Sequence, residues 1–143
     1  MYRGIAQLLS VRWEYDDASR VKSQAWQMGQ QSYEETYTYS ATDGNLTGIT
    51  RSGGGNSLQL SYDSLSRLAS AGNGVYTRNY TYRDISSTQT TTQVQSLGYT
   101  GLSGALSGLT YNYTYNALGN IASVAKGSGT ATTYTAAAGG GAE

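Results

Sequence analysis

Residues 62–68 read Tyr-Asp-Ser-Leu-Ser-Arg-Leu, and the same pattern returns along the chain. A tyrosine is followed by a short polar turn, then by Arg or Asn, and then by an aliphatic residue. The other copies are Tyr-Asp-Asp-Ala-Ser-Arg-Val at 15–21, Tyr-Ser-Ala-Thr-Asp-Gly-Asn-Leu at 39–46, with one extra turn residue, and Tyr-Asn-Ala-Leu-Gly-Asn-Ile at 115–121. The chain is therefore built from repeats of one unit.

The spacing of the copies predicts units that stack side by side. The leading tyrosines are 24 residues apart from Tyr15 to Tyr39, 23 from Tyr39 to Tyr62 and 53 from Tyr62 to Tyr115. A degenerate copy, Tyr82-Arg83-Asp84, divides the last interval into 20 and 33 residues. Periods in this range are typical of proteins in which no unit can bury its apolar side alone and each packs against the next.

Strands of alternating character surround the motifs. Tyr-Thr-Tyr stands at 37–39 and at 80–82, and Tyr-Asn-Tyr-Thr-Tyr at 111–115. This period of two puts the tyrosines of each run on one face of a strand. Turn signals fall near 16–19, 29–31, 42–45, 53–56, 63–66, 72–74, 116–119 and 127–129, with Asn73-Gly74 the strongest. Because strands joined this closely pair antiparallel, we predict an all-β fold, an antiparallel meander of repeated short hairpins forming a curled or spiralling sheet.

One segment also fits a helix. Within residues 20–30, Val21, Ala25 and Met28 have helical spacing, but Trp26 and Gly29 interrupt that stripe. Since the segment also alternates like a strand, we predict a strand. The chain has no proline, which strand interiors exclude, and this predicts a nearly continuous ladder with very short loops.

Each motif residue has an expected role in the hairpin. The tyrosine ends a strand, and the Asp or Asn after it is expected to bond to backbone amides two residues on. A tight position follows at Ser19, Gly44, Ser66 or Gly119, and the two serines predict a turn that does not always need positive φ. The aliphatic residue points toward the core, and the tyrosines stack as a ladder. The structural motif residues are Tyr15, Asp16, Arg20, Tyr39, Gly44, Asn45, Tyr62, Asp63, Arg67, Tyr82, Tyr115, Asn116, Gly119 and Asn120.

Composition narrows the function classes. The formal net charge is zero and charged residues are 13% of the chain, so no basic field exists to hold nucleic acid. Cysteine and histidine are absent, which removes disulfides, thiolate nucleophiles, imidazole bases and the usual zinc ligands. No acidic pair has a diagnostic spacing, and the Asp-x-Asp-x-Asp-Gly pattern of a calcium loop is missing. We therefore expect no enzyme, no cofactor and no metal site, and no stretch approaches the ~20 apolar residues of a membrane span.

The motifs resemble the Rhs or YD-repeat family, whose consensus is approximately Tyr-Asp-x-x-Gly-Arg-Leu. The likeness covers residues 15–124, with close copies at 62–68 and 115–121 and a longer variant from Tyr80 to Val94. The resemblance implies a long β-sheet that spirals into a hollow shell, which encloses a C-terminal toxin in bacterial members and serves cell-surface adhesion in animal relatives. The Asp-Pro motifs and self-cleaving aspartate of the bacterial core region have no counterpart here. About five or six units are too few to close a shell, so a fragment, a remnant or a stand-alone use of the repeat is expected.

Two functions follow as hypotheses. In the first, residues 1–135 form a non-catalytic structural repeat domain, followed by a flexible Ala/Gly-rich tail at 136–143 that replaces a new copy begun at Tyr134. Such a module belongs to an encapsulating shell or a secreted fibre at the cell exterior, and its partners are neighbouring repeats or other copies joined through open sheet edges. In the alternative hypothesis, an aromatic face with Trp13 and Trp26 binds glycans or a cell surface. In the structural hypothesis, the two tryptophans instead fill the core. Lys22, Arg51, Arg67 and Arg78 are expected to be solvated or to lie along apolar rings.

Overall fold

The computed structural model describes residues 9–86 and 89–134, and it is all-β and antiparallel, as predicted. Two compact units divide the chain between Gly74 and Val75. The first contains β1 Leu9–Tyr15, β2 Val21–Met28, β3 Gln31–Tyr39, β4 Leu46–Arg51, β5 Leu58–Tyr62 and β6 Leu68–Gly72. The second contains β7 Thr77–Ser86, β8 Gln89–Thr100, β9 Thr110–Tyr115, β10 Ile121–Lys126 and β11 Thr132–Thr133.

Within each unit, every strand pairs antiparallel with the next one along the chain, which is a meander. The predicted strand at 20–30 is confirmed as β2. Single turns of 3-10 helix lie at Ser52–Gly54 and Gly104–Leu106. The expectation of uniformly short loops was wrong between β8 and β9, where residues 101–109 connect the strands. Glycines at 101, 104 and 108, all with positive φ, let the chain turn there without proline.

Five hairpins carry the repeat, and we call them the motif hairpins: β1–β2, β3–β4, β5–β6, β7–β8 and β9–β10. In each, the pairing slips by one residue at the tyrosine. Tyr15 faces Val21 whereas Glu14 faces Ser23, so Lys22 is the extra residue of a β-bulge. The equivalent extra residues are Thr47, Ala69, Gln95 and Ala122. Since bulges sharpen strand twist, the repeat builds the same local twist at the same place in every hairpin.

The register divides the side chains into an aromatic face and a polar face, because paired residues on neighbouring strands lie on the same side of a sheet. The aromatic face of the first unit holds Val11, Trp13, Trp26, Tyr33, Tyr37, Ile49, Leu58 and Leu60. In the second unit it holds Tyr80, Leu97, Tyr99, Tyr111, Tyr113 and Val124. The polar face carries mainly Ser, Thr, Gln and Asn, such as Thr36, Ser61, Ser96 and Thr114.

No apolar side chain is fully buried among residues 9–86 and 89–134; the one buried polar side chain, Ser23, is 5% exposed. The expectation that the tryptophans supply core bulk fails at Trp13, which is 47% exposed. Ile121, expected to point into a core, is 45% exposed. The described side chains of the aromatic face are therefore half-buried or exposed and none is fully buried.

The strand register corrects the predicted start of a new copy at Tyr134. Ser123 on β10 faces Thr133 on β11, as Ser23 faces Thr36 in the first unit. Tyr134 is thus equivalent to Tyr37, two residues before the motif tyrosine. The motif position falls at residue 136, where the sequence has alanine. Residue 136 and the predicted tail at 136–143 lie outside the described residues.

Candidate functional site: the repeated turn and the aromatic face

The motif turn is closed by one carboxylate or amide oxygen. At residues 15–21, Asp16 Oδ1 accepts hydrogen bonds from the backbone N–H groups of Ala18 and Arg20, both at 2.9 Å. Asp16 N–H donates to the Arg20 carbonyl at 2.9 Å, which closes the base of the turn. The predicted capping by the motif Asp is confirmed here, because a short acceptor side chain can satisfy amides that the turn leaves without strand partners.

Two further copies have the same geometry. Asp63 Oδ1 accepts from Leu65 and Arg67 N–H at 2.9 Å. Asn116 Oδ1 accepts from Leu118 and Asn120 N–H at 3.0 Å. The negative charge is therefore dispensable for the backbone bonds, since the amide oxygen of Asn116 makes the same pair.

The charge matters for the arginine of the motif. Arg20 Nε donates to Asp16 Oδ2 at 2.8 Å, and Arg67 Nε donates to Asp63 Oδ2 at 2.7 Å. The Arg20 side chain lowers the pKa of Asp16, helped by the Arg20 N–H. At Asp63 burial alone would raise the pKa, but the Arg67 N–H and guanidinium outweigh it and the pKa is lowered. Arg67 thus has an ion-pair partner, which the expectation of a side chain that is solvated or lies along apolar rings did not include.

The turn at 39–46 reaches a similar closure with different groups. Ser40 N–H donates to the Asn45 carbonyl at 2.8 Å, and the Ser40 hydroxyl accepts from Thr42 N–H at 3.2 Å. Asp43 Oδ1 accepts from Asn45 N–H at 3.2 Å, and hydrogen bonding from the Ser40 side chain lowers the pKa of Asp43. The extra residue is accommodated because capping is divided between Ser40 and Asp43.

The tight position of every motif turn has a left-handed backbone. Gly44 and Gly119 have φ of 74° and 82°, and Ser19 and Ser66 have φ of 60° and 59°. The expectation that serine marks a turn without positive φ was therefore wrong. The Asp-centred hydrogen bonds fix the path of the chain, and serine adopts a conformation that L-residues otherwise avoid.

The degenerate copy keeps the tyrosine and the bulge but not the turn. Tyr82 faces Val94 on the far strand, so the hairpin β7–β8 continues for several residues beyond the motif position. Arg83 donates to the Gln93 side chain at 3.1 Å, and Gln93 Nε2 donates to the Gly119 carbonyl at 2.9 Å. The longer hairpin thereby contacts the motif turn of the following copy.

Consecutive copies are joined by the tyrosine hydroxyl. Pairing between β2 and β3 ends at Ser23 and Thr36, which leaves the Val21 carbonyl beyond the ladder. Tyr39 Oη donates to that carbonyl at 2.8 Å. Two other tyrosines do the same: Tyr62 donates to the Leu46 carbonyl at 2.9 Å and Tyr115 to the Val94 carbonyl at 2.7 Å. In each case the tyrosine of one hairpin supplies the hydrogen bond that the strand ladder no longer makes.

Arginine covers the tyrosine ring at two of these junctions. The Arg20 guanidinium carbon lies 4.3 Å from the centroid of Tyr39, where we expected a neighbouring tyrosine. Arg83 lies 6.0 Å from the centroid of Tyr115. A guanidinium over an aromatic face is attractive, so Arg20 links its own turn, through Asp16, to the next copy.

Hydroxyl pairs lie on the polar face beside three of the five bulges. The hydroxyls of Ser61 and Ser70 are 2.7 Å apart, and the same distance separates Thr81 from Ser96 and Thr114 from Ser123. Neither these pairs nor the bulges were predicted from the sequence. The signal was present as a Ser two residues after the aliphatic residue in four copies, at Ser23, Ser70, Ser96 and Ser123.

A shallow cavity of about 270 Å³ lies on the first unit, beside Trp26 and Tyr33. Glu35 and Arg51 also line the cavity, and Arg51 Nε donates to Glu35 Oε1 at 2.7 Å, an ion pair that the expectation of a solvated or ring-covering Arg51 did not include. Arg51 lowers the pKa of Glu35, and Tyr37 adds a hydrogen bond to the same carboxylate at 2.9 Å. The cavity combines aromatic surface with a fixed ion pair.

Across residues 9–86 and 89–134, no group of three or more His, Cys, Asp or Glu side chains could hold a metal ion. Over the same ranges no helix is long and apolar enough to cross a membrane. The expected position of Arg78 along a ring is confirmed, since its guanidinium lies 5.6 Å from the centroid of Tyr76.

No protein-family model and no curated protein matches this sequence.

Proposed function

We propose that this chain is a non-catalytic structural repeat module, a segment of an extended β-sheet in a shell or fibre at the cell exterior. One observation carries the proposal: the tyrosine hydroxyl of one copy bonds to the backbone carbonyl of the copy before it, at Tyr39, Tyr62 and Tyr115. Because this hydrogen bond joins one copy to the next, it can stabilise a sheet that is extended by adding copies. The resemblance of the motif to YD repeats, which build hollow β-shells, supports the same conclusion.

The burial of the aromatic face also supports a building role. Its side chains are shielded chiefly by their neighbours on the same sheet. In a repeat protein the free energy of unfolding is likewise the sum of the stability of each copy and of the contacts between adjacent copies. Adding a copy then adds stability without any change to a distant core. An enzyme built around one pocket does not have this property.

The test is to insert a second copy of residues 39–61 directly before Tyr62, which preserves the 23-residue spacing. We expect urea unfolding of this chain to show a larger m-value, because m follows the surface exposed on unfolding, with a midpoint at or above that of the original chain. A scrambled insert of the same composition is the control and should lower the midpoint. If the ordered insert destabilises the chain as much as the scrambled one, the repeat proposal is wrong.

A second candidate function is glycan binding at the Trp26 cavity. Aromatic rings stack on sugar faces while paired polar side chains hold hydroxyls, and Trp26, Tyr33 and the Glu35–Arg51 pair provide both. Replacing Trp13 with Tyr leaves Trp26 as the single tryptophan reporter. Saturable changes in its fluorescence with added oligosaccharides, abolished by Tyr33→Ala, would favour this function. An unchanged spectrum across a glycan series would argue against it.

A further inference from the structure

The two ends of the repeat array are complementary. At one end, Tyr15 is 60% exposed and its hydroxyl has no hydrogen-bond partner among the described residues. At the other end, Ile121 is 45% exposed, whereas Val21, Leu46 and Val94, its equivalents in other hairpins, are half-buried. Val21, Leu46 and Val94 each accept the hydroxyl of a following tyrosine at their carbonyl. The first motif hairpin thus has a tyrosine hydroxyl with no partner among the described residues, and the last has a more exposed residue at the acceptor position.

Strand β11 fills the place after β10 poorly. It is two residues long and pairs only through Thr132 and Thr133. Counted along the sequence from Thr133, the motif position falls at residue 136, which is an alanine and lies outside the described residues. In the interior copies that position holds Tyr39, Tyr62 or Tyr115.

Three junctions within the units follow one register rule. The residue after the bulge faces the residue three positions before the next motif tyrosine: Ser23 faces Thr36, Gly48 faces Gln59, and Ser96 faces Asn112. On β10 the residue after the bulge is Ser123. Three positions before Tyr15 is Arg12.

We propose that copies of this chain join head to tail, with β1 of one copy displacing β11 from β10 of another. This proposal rests on the proposed structural function and names its contact. The register rule places Arg12 opposite Ser123, Val11 opposite Val124, Ser10 opposite Ala125 and Leu9 opposite Lys126. Tyr15 Oη donates to the Ile121 carbonyl of the other copy, as Tyr39 does to Val21 within one chain.

The structure allows two comparisons between β1 and β11 as the partner of β10, and both favour β1. Strand β1 offers four register pairs where β11 has two. It also places Val11 beside Val124 on the aromatic face, where β11 places Thr132. Trp13 takes the position of Tyr134, whose N–H donates to the Ala122 carbonyl at 2.7 Å, so that backbone bond is replaced as well.

Cross-linking tests the register directly, because the chain has no cysteine of its own. Single variants Arg12→Cys and Ser123→Cys are mixed under mild oxidation, and the heterodimer is separated from the homodimers by mass. Directly opposed residues on antiparallel strands fall within disulfide reach, whereas residues displaced by two positions do not. We expect a heterodimer with Ser123→Cys and little with the matched control Ala125→Cys. Equal yields, or no heterodimer in either mixture, would overturn the proposal.

Sedimentation equilibrium over a concentration series tests the tyrosine contact. Tyr15→Phe removes one oxygen and is expected to raise the dissociation constant about fivefold, the effect of a typical hydrogen bond. Tyr39→Phe is the control: it should lower the stability of the single chain and leave the dissociation constant unchanged. A chain that stays monomeric at all concentrations, or an unchanged dissociation constant for Tyr15→Phe, contradicts the contact. The insertion test above reads the unfolding of one chain, so it can succeed when this test fails.

Discussion

Replacing Ser66 with glycine should stabilise the protein, although a glycine in an ordered segment usually does the opposite. Ser66 is exposed and has a φ of 59°, a left-handed conformation that costs most L-residues energy. Gly119 occupies the equivalent position in a turn with the same hydrogen bonds and has a φ of 82°. The chain therefore already contains the glycine form of this turn.

The magnitude is the difference between two opposing effects. Relief of the left-handed conformation is favourable by about 1–2 kcal/mol. The greater freedom of glycine in the unfolded chain opposes it by about 0.4–1 kcal/mol. The net gain is about 0.5–1 kcal/mol, because the Ser66 N–H bond to the Asp63 carbonyl at 3.0 Å involves only the backbone and is retained.

Urea unfolding followed by circular dichroism measures this change. With an m-value of about 2 kcal/mol/M, the midpoint should rise by about 0.3–0.5 M. Ser64→Gly is the matched control in the same turn, since Ser64 has no positive φ. It should lower stability by about 0.4–1 kcal/mol. If Ser66→Gly lowers the midpoint as much as Ser64→Gly, the argument from backbone strain is refuted.

Three other predictions concern the junctions and the turn. Tyr62→Phe should lower stability by about 1 kcal/mol, because the Leu46 carbonyl loses its partner, and Tyr33→Phe, at an exposed ring, should change it little by the same urea assay. Because the pKa of Asp63 is lowered in the folded protein, the stability that its carboxylate contributes is complete above the unfolded pKa of about 3.9 and is lost as pH falls through the folded pKa. Asp63→Asn should therefore make the loss of stability at acid pH less steep. An acid unfolding profile identical to that of the original chain would contradict this prediction. Arg20→Lys should destabilise the first unit more than Lys22→Arg, because only a planar guanidinium bonds Asp16 and covers Tyr39 together, and equal midpoints for the two variants would contradict it.

The repeat and the strand class could be predicted because both rest on local patterns. Period-two alternation around Tyr37 and Tyr113 reports which side chains share a face. The Asp of the motif caps its own turn within four residues, so its bonds at Asp16 and Asp63 need no information from elsewhere in the fold.

The errors have a different origin. Serine at positions 19 and 66 does not by itself indicate a particular backbone conformation. Only the surrounding hydrogen bonds force it into the left-handed region. The bulge at Lys22 could not be predicted from alternation alone, because a single inserted residue shifts the register without a characteristic residue type. The loop at 101–109 was missed since Gly and Ser are common throughout this chain.

By itself the sequence determined the hairpins, the polarity of their faces and the chemistry of their turns, since each depends on residues close together along the chain. The tertiary structure alone decided how one hairpin joins the next. The Tyr39 hydroxyl and the Val21 carbonyl are far apart along the chain, and their meeting depends on where the strand ladder ends. That end point is set by the bulge, and a one-residue difference in register would move the tyrosine to the other face.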